Sequence, residues 1–395
     1  MLPLGEDIDT FTPIQRPANK DVDIITTHFD YHSIDHNLLK LDILGHDDPT
    51  MIRMLEDLTE TDPTKVPLDD KQVMSLFGST KALGISPEDI DGCKLGTLGI
   101  PEFGTDFAMQ MLIDTSPSAF SDLVRIAGLA HGTDVWLGNA EKLIKEGTAT
   151  ISTAICTRDD IMVYLINQGL ESGLAFKIME KVRKGKGLTP EWEEAMKAAG
   201  VPQWYIWSCN KIKYMFPKAH AAAYVMMAWR IAYYKVYYPL AYYTAFFSIR
   251  AKAFNYEKMC FGRGKLDALL RDYRSRADSL SPKEQSELKD MRLVQEMYAR
   301  GFEFAPVDLY TAQAHRFQII DGKIMPSLDS IDGLGDKASD AVYNACLDGG
   351  FLSVEDFRQR TGVNQTVLET IVRLGLLKGL PATNQLSIFD MLKSS

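Results

Sequence analysis

Cysteine is scarce in this chain of 395 residues. The five present, at 93, 156, 209, 260 and 346, are widely spaced and form no C-x-x-C. Such a set excludes a disulfide framework and a cysteine zinc site, and it suits a reducing compartment, the cytoplasm being the expected one. Long apolar runs are missing too. The most apolar stretch, residues 221–249, is interrupted by Arg230, Lys235 and Pro239. Its uncharged runs fall short of the roughly 18 residues a membrane helix needs, so no membrane association is expected. No secretory leader is expected either, because Met1-Leu2-Pro3-Leu4 runs into acidic Glu6 and Asp7. Nothing fits the phosphate loop G-x-x-x-x-G-K-[ST], the nucleophile elbow G-x-S-x-G or the zinc motif H-E-x-x-H.

What is present is charge, unevenly spread. The net charge is −10, which argues against nucleic-acid binding by the whole surface. Yet residues 1–70 carry 16 acidic and five basic side chains, whereas residues 177–250 carry 12 basic and four acidic. A chain polarised in this way can offer one positive face to a polyanion while remaining acidic overall. The plainer alternative is a set of solvated faces.

The pattern is mostly helical. Residues 38–45 form a short apolar run stopped by glycine and read as a buried strand, with Leu39, Leu41 and Ile43 on one face. Asp42 falls on the other, a costly carboxylate unless something charged meets it. Pro49 opens a helix, and Asp69 is the expected cap of the next. Residues 69–250 read as helices around a glycine-rich loop, 96–105. Lys181-Val-Arg183-Lys184-Gly185-Lys186-Gly187 is a basic, flexible connection. Residues 316–325 hold two β-like runs, and residues 328–380 read as four short helices. The fold class is therefore mainly α with a small α/β part.

Several constellations carry weaker chemistry. His28, His32 and His36, four apart, would align on a helix, but no third ligand type supports a metal. His46-Asp47 has the dipeptide of metal-dependent phosphohydrolases without their other ligands. Asp7 and Asp9 resemble a two-metal pair but lie in an irregular, proline-flanked segment. Ile331-Asp-Gly333-Leu-Gly335 followed by a helix is more telling. Glycines let the backbone approach a ligand, and N–H groups at a helix start bind phosphate. This is the helix–hairpin–helix pattern for sequence-neutral contact with a DNA backbone; the alternative is a plain glycine turn between packed helices.

Taken together, Leu39-Lys-Leu-Asp42-Ile-Leu-Gly45-His-Asp-Asp-Pro49, Gly99-Ile-Pro-Glu-Phe-Gly104-Thr105, His131-Gly-Thr-Asp-Val-Trp136-Leu-Gly-Asn139, Tyr214-Met-Phe-Pro-Lys218-Ala-His220-Ala-Ala-Ala-Tyr224 and Gln385-Leu-Ser-Ile-Phe389 resemble one family over essentially the whole chain. It is the C-family replicative DNA polymerase of bacteria, in the PolC-type form of the DNA polymerase III alpha subunit. The resemblance implies the end of the palm at 1–60, fingers at 61–300, a tandem helix–hairpin–helix domain at 301–380 and a clamp-binding tail at 381–395. It implies template-directed deoxynucleotidyl transfer with two magnesium ions. Asp42 matches the palm's third catalytic aspartate and metal ligand. The first two are expected upstream, in another part of the polymerase, so this chain alone is expected to be inactive. Arg158, Lys218 and His220 are the implied nucleotide contacts. Lys181, Arg183, Lys184, Lys186, Gly333 and Gly335 are the candidates for DNA. Gln385, Leu386 and Phe389, beyond a short polar spacer at 382–384, would dock on the sliding clamp. The implied partners are primer-template DNA, deoxynucleoside triphosphates, the clamp and other replisome subunits. The competing reading is a non-catalytic module that binds DNA and clamp.

Overall fold

The computed structural model describes residues 2–18, 23–39, 41 and 45–384. It divides into two units, Met1–His46 and Asp47–Ser395. In the first, strand Ile14–Gln15 pairs antiparallel with Thr26–Thr27, and 3-10 turns lie at Ile8–Thr10 and Tyr31–Ser33. His28, His32 and His36 lie outside any α-helix, so they share no helical face.

The strand expected over 38–45 is not found among the described residues of that run. Leu38 is buried, but Leu39 and Leu41 are 59% and 57% exposed, and none of the three is in a strand. A strand needs a neighbour for its backbone groups, and the two strands of this unit pair with each other. Asp42 lies outside the described residues.

The second unit is mainly α. It opens with α1 (Asp47–Thr59). Asp70, one residue after the expected cap, closes the start of the next helix by accepting Val73 N–H at 2.9 Å. Then come α2 (Phe120–His131), α3 (Arg158–Asn167), α4 (Ser172–Arg183), α5 (Lys218–Tyr237), α6 (Pro239–Ile249) and α7 (Pro282–Ala299). The 20-residue α5 is the pillar of the core. Its first turns are rich in alanine, the best helix former. It stops at Tyr238, which leaves helical geometry ahead of Pro239; that proline in turn starts α6. Helices α1, α2 and α6 all pack on α5. Trp229 of α5 stacks on Phe77 and its indole N–H donates to Pro67 O at 2.8 Å. Burying a large apolar side chain contributes roughly 1.5–3 kcal/mol, so each of these two rings is a sizeable stabilising contact of the core. At the start of α1, buried Asp48 pairs with Arg250 at the end of α6.

A further buried pair fixes the glycine-rich loop. Lys235 of α5 and Glu296 of α7 are both fully buried, with Nζ and Oε1 2.8 Å apart. Lys235 Nζ also donates to the carbonyls of Gly96 (2.8 Å) and Leu98 (2.5 Å). Tyr243 OH donates to Glu296 at 2.7 Å. At Gly99 (φ +72°) a Cβ would stand 2.4 Å from Tyr242 OH, so the loop's close approach to α6 requires glycine there.

The carboxyl-terminal region has its own apolar cluster, including Leu328, Ile331, Leu334, Val342, Phe357, Val367 and Ile371. It holds the antiparallel hairpin Gln318–Ile320 and Lys323–Met325, then α8 (Asp336–Leu347), α9 (Val354–Thr361) and α10 (Gln365–Arg373). The expected fourth helix at its start is a 3-10 turn, Leu328–Ser330. No helix among the described residues is long and apolar enough to cross a membrane.

Candidate nucleotide- and DNA-facing site

Two helix starts meet in the second unit. Arg158 is the first residue of α3, and its N–H donates to Phe216 O at 3.1 Å. Lys218 is the first residue of α5, and its N–H donates to Asp159 Oδ2 at 2.6 Å. These crossed bonds bring together two of the three implied nucleotide contacts. The third, His220, stacks on Phe216 with ring centroids 4.9 Å apart and also faces Tyr224 and His131. His131 closes α2, and its Nε2 lies 2.7 Å from a Glu102 carboxylate oxygen. The glycine-rich loop therefore reaches the same place. Gly128 lets α2 come this close, because a Cβ there would stand 2.7 Å from Cys156 O.

The electrostatics are balanced rather than purely positive. Asp160 accepts from Cys156 N–H, Thr157 N–H and the Thr157 hydroxyl, a capping box for α3. Its other oxygen lies 2.7 Å from Lys218 Nζ. Glu180 of α4 gathers Arg183 in two hydrogen bonds, Lys184 at 3.1 Å and, more loosely, Arg158 at 3.9 Å. The Arg183 hydrogen bonds hold its carboxyl down at about 2 against the cost of burial, with Lys184 helping. Arg158 Nε is buried with no hydrogen-bond partner among the described residues. An unmet buried donor costs about 1–3 kcal/mol, more when charged.

Of the implied DNA contacts on α4 and the turn after it, Arg183 and Lys184 are thus engaged by Glu180. Lys181 and Lys186 are exposed and have no ion-pair partner among the described residues. Gly185 (φ +68°) allows the turn to sit on residue 213, where a Cβ would stand 2.4 Å from Lys213 O. Gly333 and Gly335 lie elsewhere, in the hairpin before α8. Both are exposed, and Gly333 has φ +89°. Gln385, Leu386 and Phe389 lie outside the described residues. The spacer before them is pinned rather than loose: Pro381 O and Ala382 O accept from Val354 and Glu355 N–H, and Asn384 accepts from Ser353.

Beside the hairpin, His315 bridges Asp329 and Asp340, each ring nitrogen 2.9 Å from a carboxylate oxygen. The Asp329 hydrogen bond, with Asp340 assisting against partial burial, raises its pKa above the ordinary 6.5. A raised folded-state value means the stabilisation is fully present below the unfolded value and is lost as pH rises through the folded one. The melting-temperature advantage of the wild type over His315→Gln should therefore shrink from pH 6 towards pH 8. A difference that stays constant over that range would show the bridge to be uncharged.

Sequence reasoning missed Glu180, Asp159, Asp160, Phe216 and the Lys235–Glu296 pair. The Thr157-x-x-Asp160 box and the Glu180 spacing to Arg183 and Lys184 were signals for two of them. The rest depend on contacts far apart in sequence.

The geometry is that of a helical domain built around two converging helix starts, followed by a helix–hairpin–helix region. Comparison with known families agrees. The bacterial DNA polymerase III alpha subunit finger domain matches residues 48–201, and a helix-hairpin-helix motif matches residues 301–386. The chain is 54% identical over 390 residues to a DNA polymerase III PolC-type from Caldanaerobacter subterraneus subsp. tengcongensis, covering 98% of this chain and 28% of that protein. It is 56% identical over 384 residues to the one from Bacillus subtilis (97% and 27%), and 55% identical over 391 residues to the one from Listeria monocytogenes (98% and 27%). The chain is thus of the class that carries a bacterial DNA polymerase III alpha subunit finger domain followed by a helix-hairpin-helix motif. More particularly, the chain belongs to the PolC-type DNA polymerase III family. It spans between 27% and 28% of the length of these relatives.

Proposed function

We propose that this chain is the nucleotide- and DNA-facing part of a replicative DNA polymerase performing template-directed deoxynucleotidyl transfer. The observation that carries the reading is the unpartnered, buried Arg158 Nε beside Lys218 at two converging helix starts. A triphosphate is rich in acceptors and negative charge, and helix starts favour both. Lys218 is half exposed, so its bond to Asp160 is screened and worth little. A triphosphate can take Lys218 from Asp160 and draw the Arg158 guanidinium, one third exposed and held only loosely by Glu180, onto its oxygens, which gives Nε the acceptor it lacks. His220 and Phe216 would hold the two helix starts in place. On this reading the palm ends near residue 60, the fingers run to about 300, and the clamp meets Gln385, Leu386 and Phe389.

Magnesium, implied by the family, finds no ligand set in this cluster. Asp159, Asp160 and Glu180 are each committed to N–H groups or cations. A described cluster with metal-ligating types, His315, Asp329 and Asp336, lies beside the hairpin instead. Asp42 is the proposed magnesium ligand, on the resemblance alone.

The test is a chimera in which this chain replaces the matching segment of a PolC-type relative. Primer extension comparable to that of the parent supports the reading. A folded chimera that binds primer-template but adds no nucleotide would favour the DNA- and clamp-binding module instead. The hairpin has its own check. Gly335→Val meets nothing within 4 Å and keeps an ordinary φ, whereas Gly333→Val is strained. Gly335→Val should therefore leave the fold intact and weaken DNA binding several-fold without changing its sequence tolerance. Unchanged affinity would reduce the hairpin to a packing turn.

A further inference from the structure

Next to the triphosphate-facing cluster, α4 and the Pro190–Ala198 helix border an open groove of about 370 Å³, lined by Phe176, Glu180, Trp192 and the lysines that follow along α4 and its turn. Phe176 is 51% exposed, although an aromatic ring of that size gains most by burial. Phe176, Glu180 and Lys184 follow one another at four-residue spacing, so they share one face of α4. Trp192, half-buried, forms the facing wall. Lys177, Lys181 and Lys186 are exposed and carry no ion pair among the described residues. The Glu180 carboxylate does not oppose an anion here, since Arg183 and Lys184 already neutralise it.

We propose that this groove is a base-stacking pocket for single-stranded DNA, in which an unpaired base lies against Phe176 and Trp192 while the lysines follow the strand's phosphates. The inference rests on the reading of this face as DNA-binding and goes beyond it by naming the form of DNA. Charge complementarity selects a polyanion. The aromatic walls select one whose base faces are free, which a duplex hides in its stack. Sequence-tolerant stacking on aromatics with a basic rim is how single strands are generally held. Glu180 is shared with the Arg158 cluster, so the strand held here lies next to the proposed nucleotide site, where a template must be unpaired.

The test uses the full chain and three fluorescent probes: a 15-nucleotide oligo-dT, an abasic strand of the same length, and a hairpin duplex. The abasic strand keeps every phosphate and lacks every base. The wild type should bind oligo-dT about tenfold more tightly than the abasic strand, the stacking of one base being worth about that factor. Phe176→Ala, a change at an exposed position, should abolish that tenfold preference and leave duplex affinity within about twofold. Lys181→Ala with Lys186→Ala should weaken all three probes and flatten the salt dependence. Intact duplex binding with no preference for bases, or a preference that survives both Phe176→Ala and Trp192→Leu, would overturn the pocket and leave the DNA-binding face standing. Binding to none of the probes would overturn both.

Discussion

Lys235→Met should lower the stability of the chain by about 3–5 kcal/mol, the usual result of removing one partner from a buried ion pair. The urea midpoint of the helical unit is the readout. Methionine matches the lysine stem in shape, so packing is nearly kept. What is lost is the ammonium, with its bonds to Glu296, Gly96 O and Leu98 O. Among the described residues, Glu296 would then hold a buried charge with the Tyr243 hydroxyl as its one side-chain donor. Burial pulls the Lys235 pKa below its ordinary value and Glu296 pulls it back; three acceptors around one ammonium keep the charged form. Replacing both residues, Lys235→Met with Glu296→Leu, should recover part of the loss, because no charge is stranded. Gly96 O loses its lysine donor, while Leu98 O keeps the Tyr242 hydroxyl at 3.2 Å; one unmet buried carbonyl costs about 1–3 kcal/mol, so recovery should be incomplete. A single variant as stable as the wild type would show that the pair does not hold the glycine-rich loop.

That pair also marks how far the residues could be read unaided. The helices were legible where their signals are local, as at Pro49 in the first turn of α1 and at the cap expected one residue before Asp70. The basic balance of residues 177–250 was legible as a number but not as a surface. Lys235 within it is fully buried, Arg250 is bound to Asp48, and Arg183 and Lys184 answer to Glu180. Charge counted along a chain cannot tell a solvated cation from one matched by a carboxylate 202 residues away. At Leu38, Leu39 and Leu41, the described apolar residues of the run 38–45, alternation pointed to a strand that is not found there, for a related reason. Alternation describes what a strand would bury, not which backbone pairs with it, and among the described residues these three have no strand partner. Arg158, Lys218 and His220 came instead from the resemblance; the structure brings them together through Phe216 and Asp159, two residues with no signature of their own.

In a complete polymerase carrying this chain, Arg158→Ala and Lys218→Ala should each raise the nucleotide KM about tenfold, with DNA affinity within about twofold of the wild type. A hydrogen bond to a charged group is worth about 1.5–3 kcal/mol, and 1.4 kcal/mol is a factor of ten. The lower end applies to Lys218, which must first leave Asp160. Arg158 should show the larger effect, since its Nε has no partner to give up. The two act on one triphosphate, so their effects should not simply add, and the double variant is expected at roughly 30-fold, below the additive product. Asp159→Ala separates position from charge. Its carboxylate holds Lys218 N–H at the start of α5, so its loss should misplace the lysine while removing a negative charge beside the phosphates. If placement governs, KM rises; if net charge governs, KM falls. Steady-state KM beside primer-template affinity by anisotropy distinguishes these cases. KM values unchanged in both Arg158→Ala and Lys218→Ala would remove the helix starts from the nucleotide site. An equal loss of DNA affinity would reassign them to the DNA backbone.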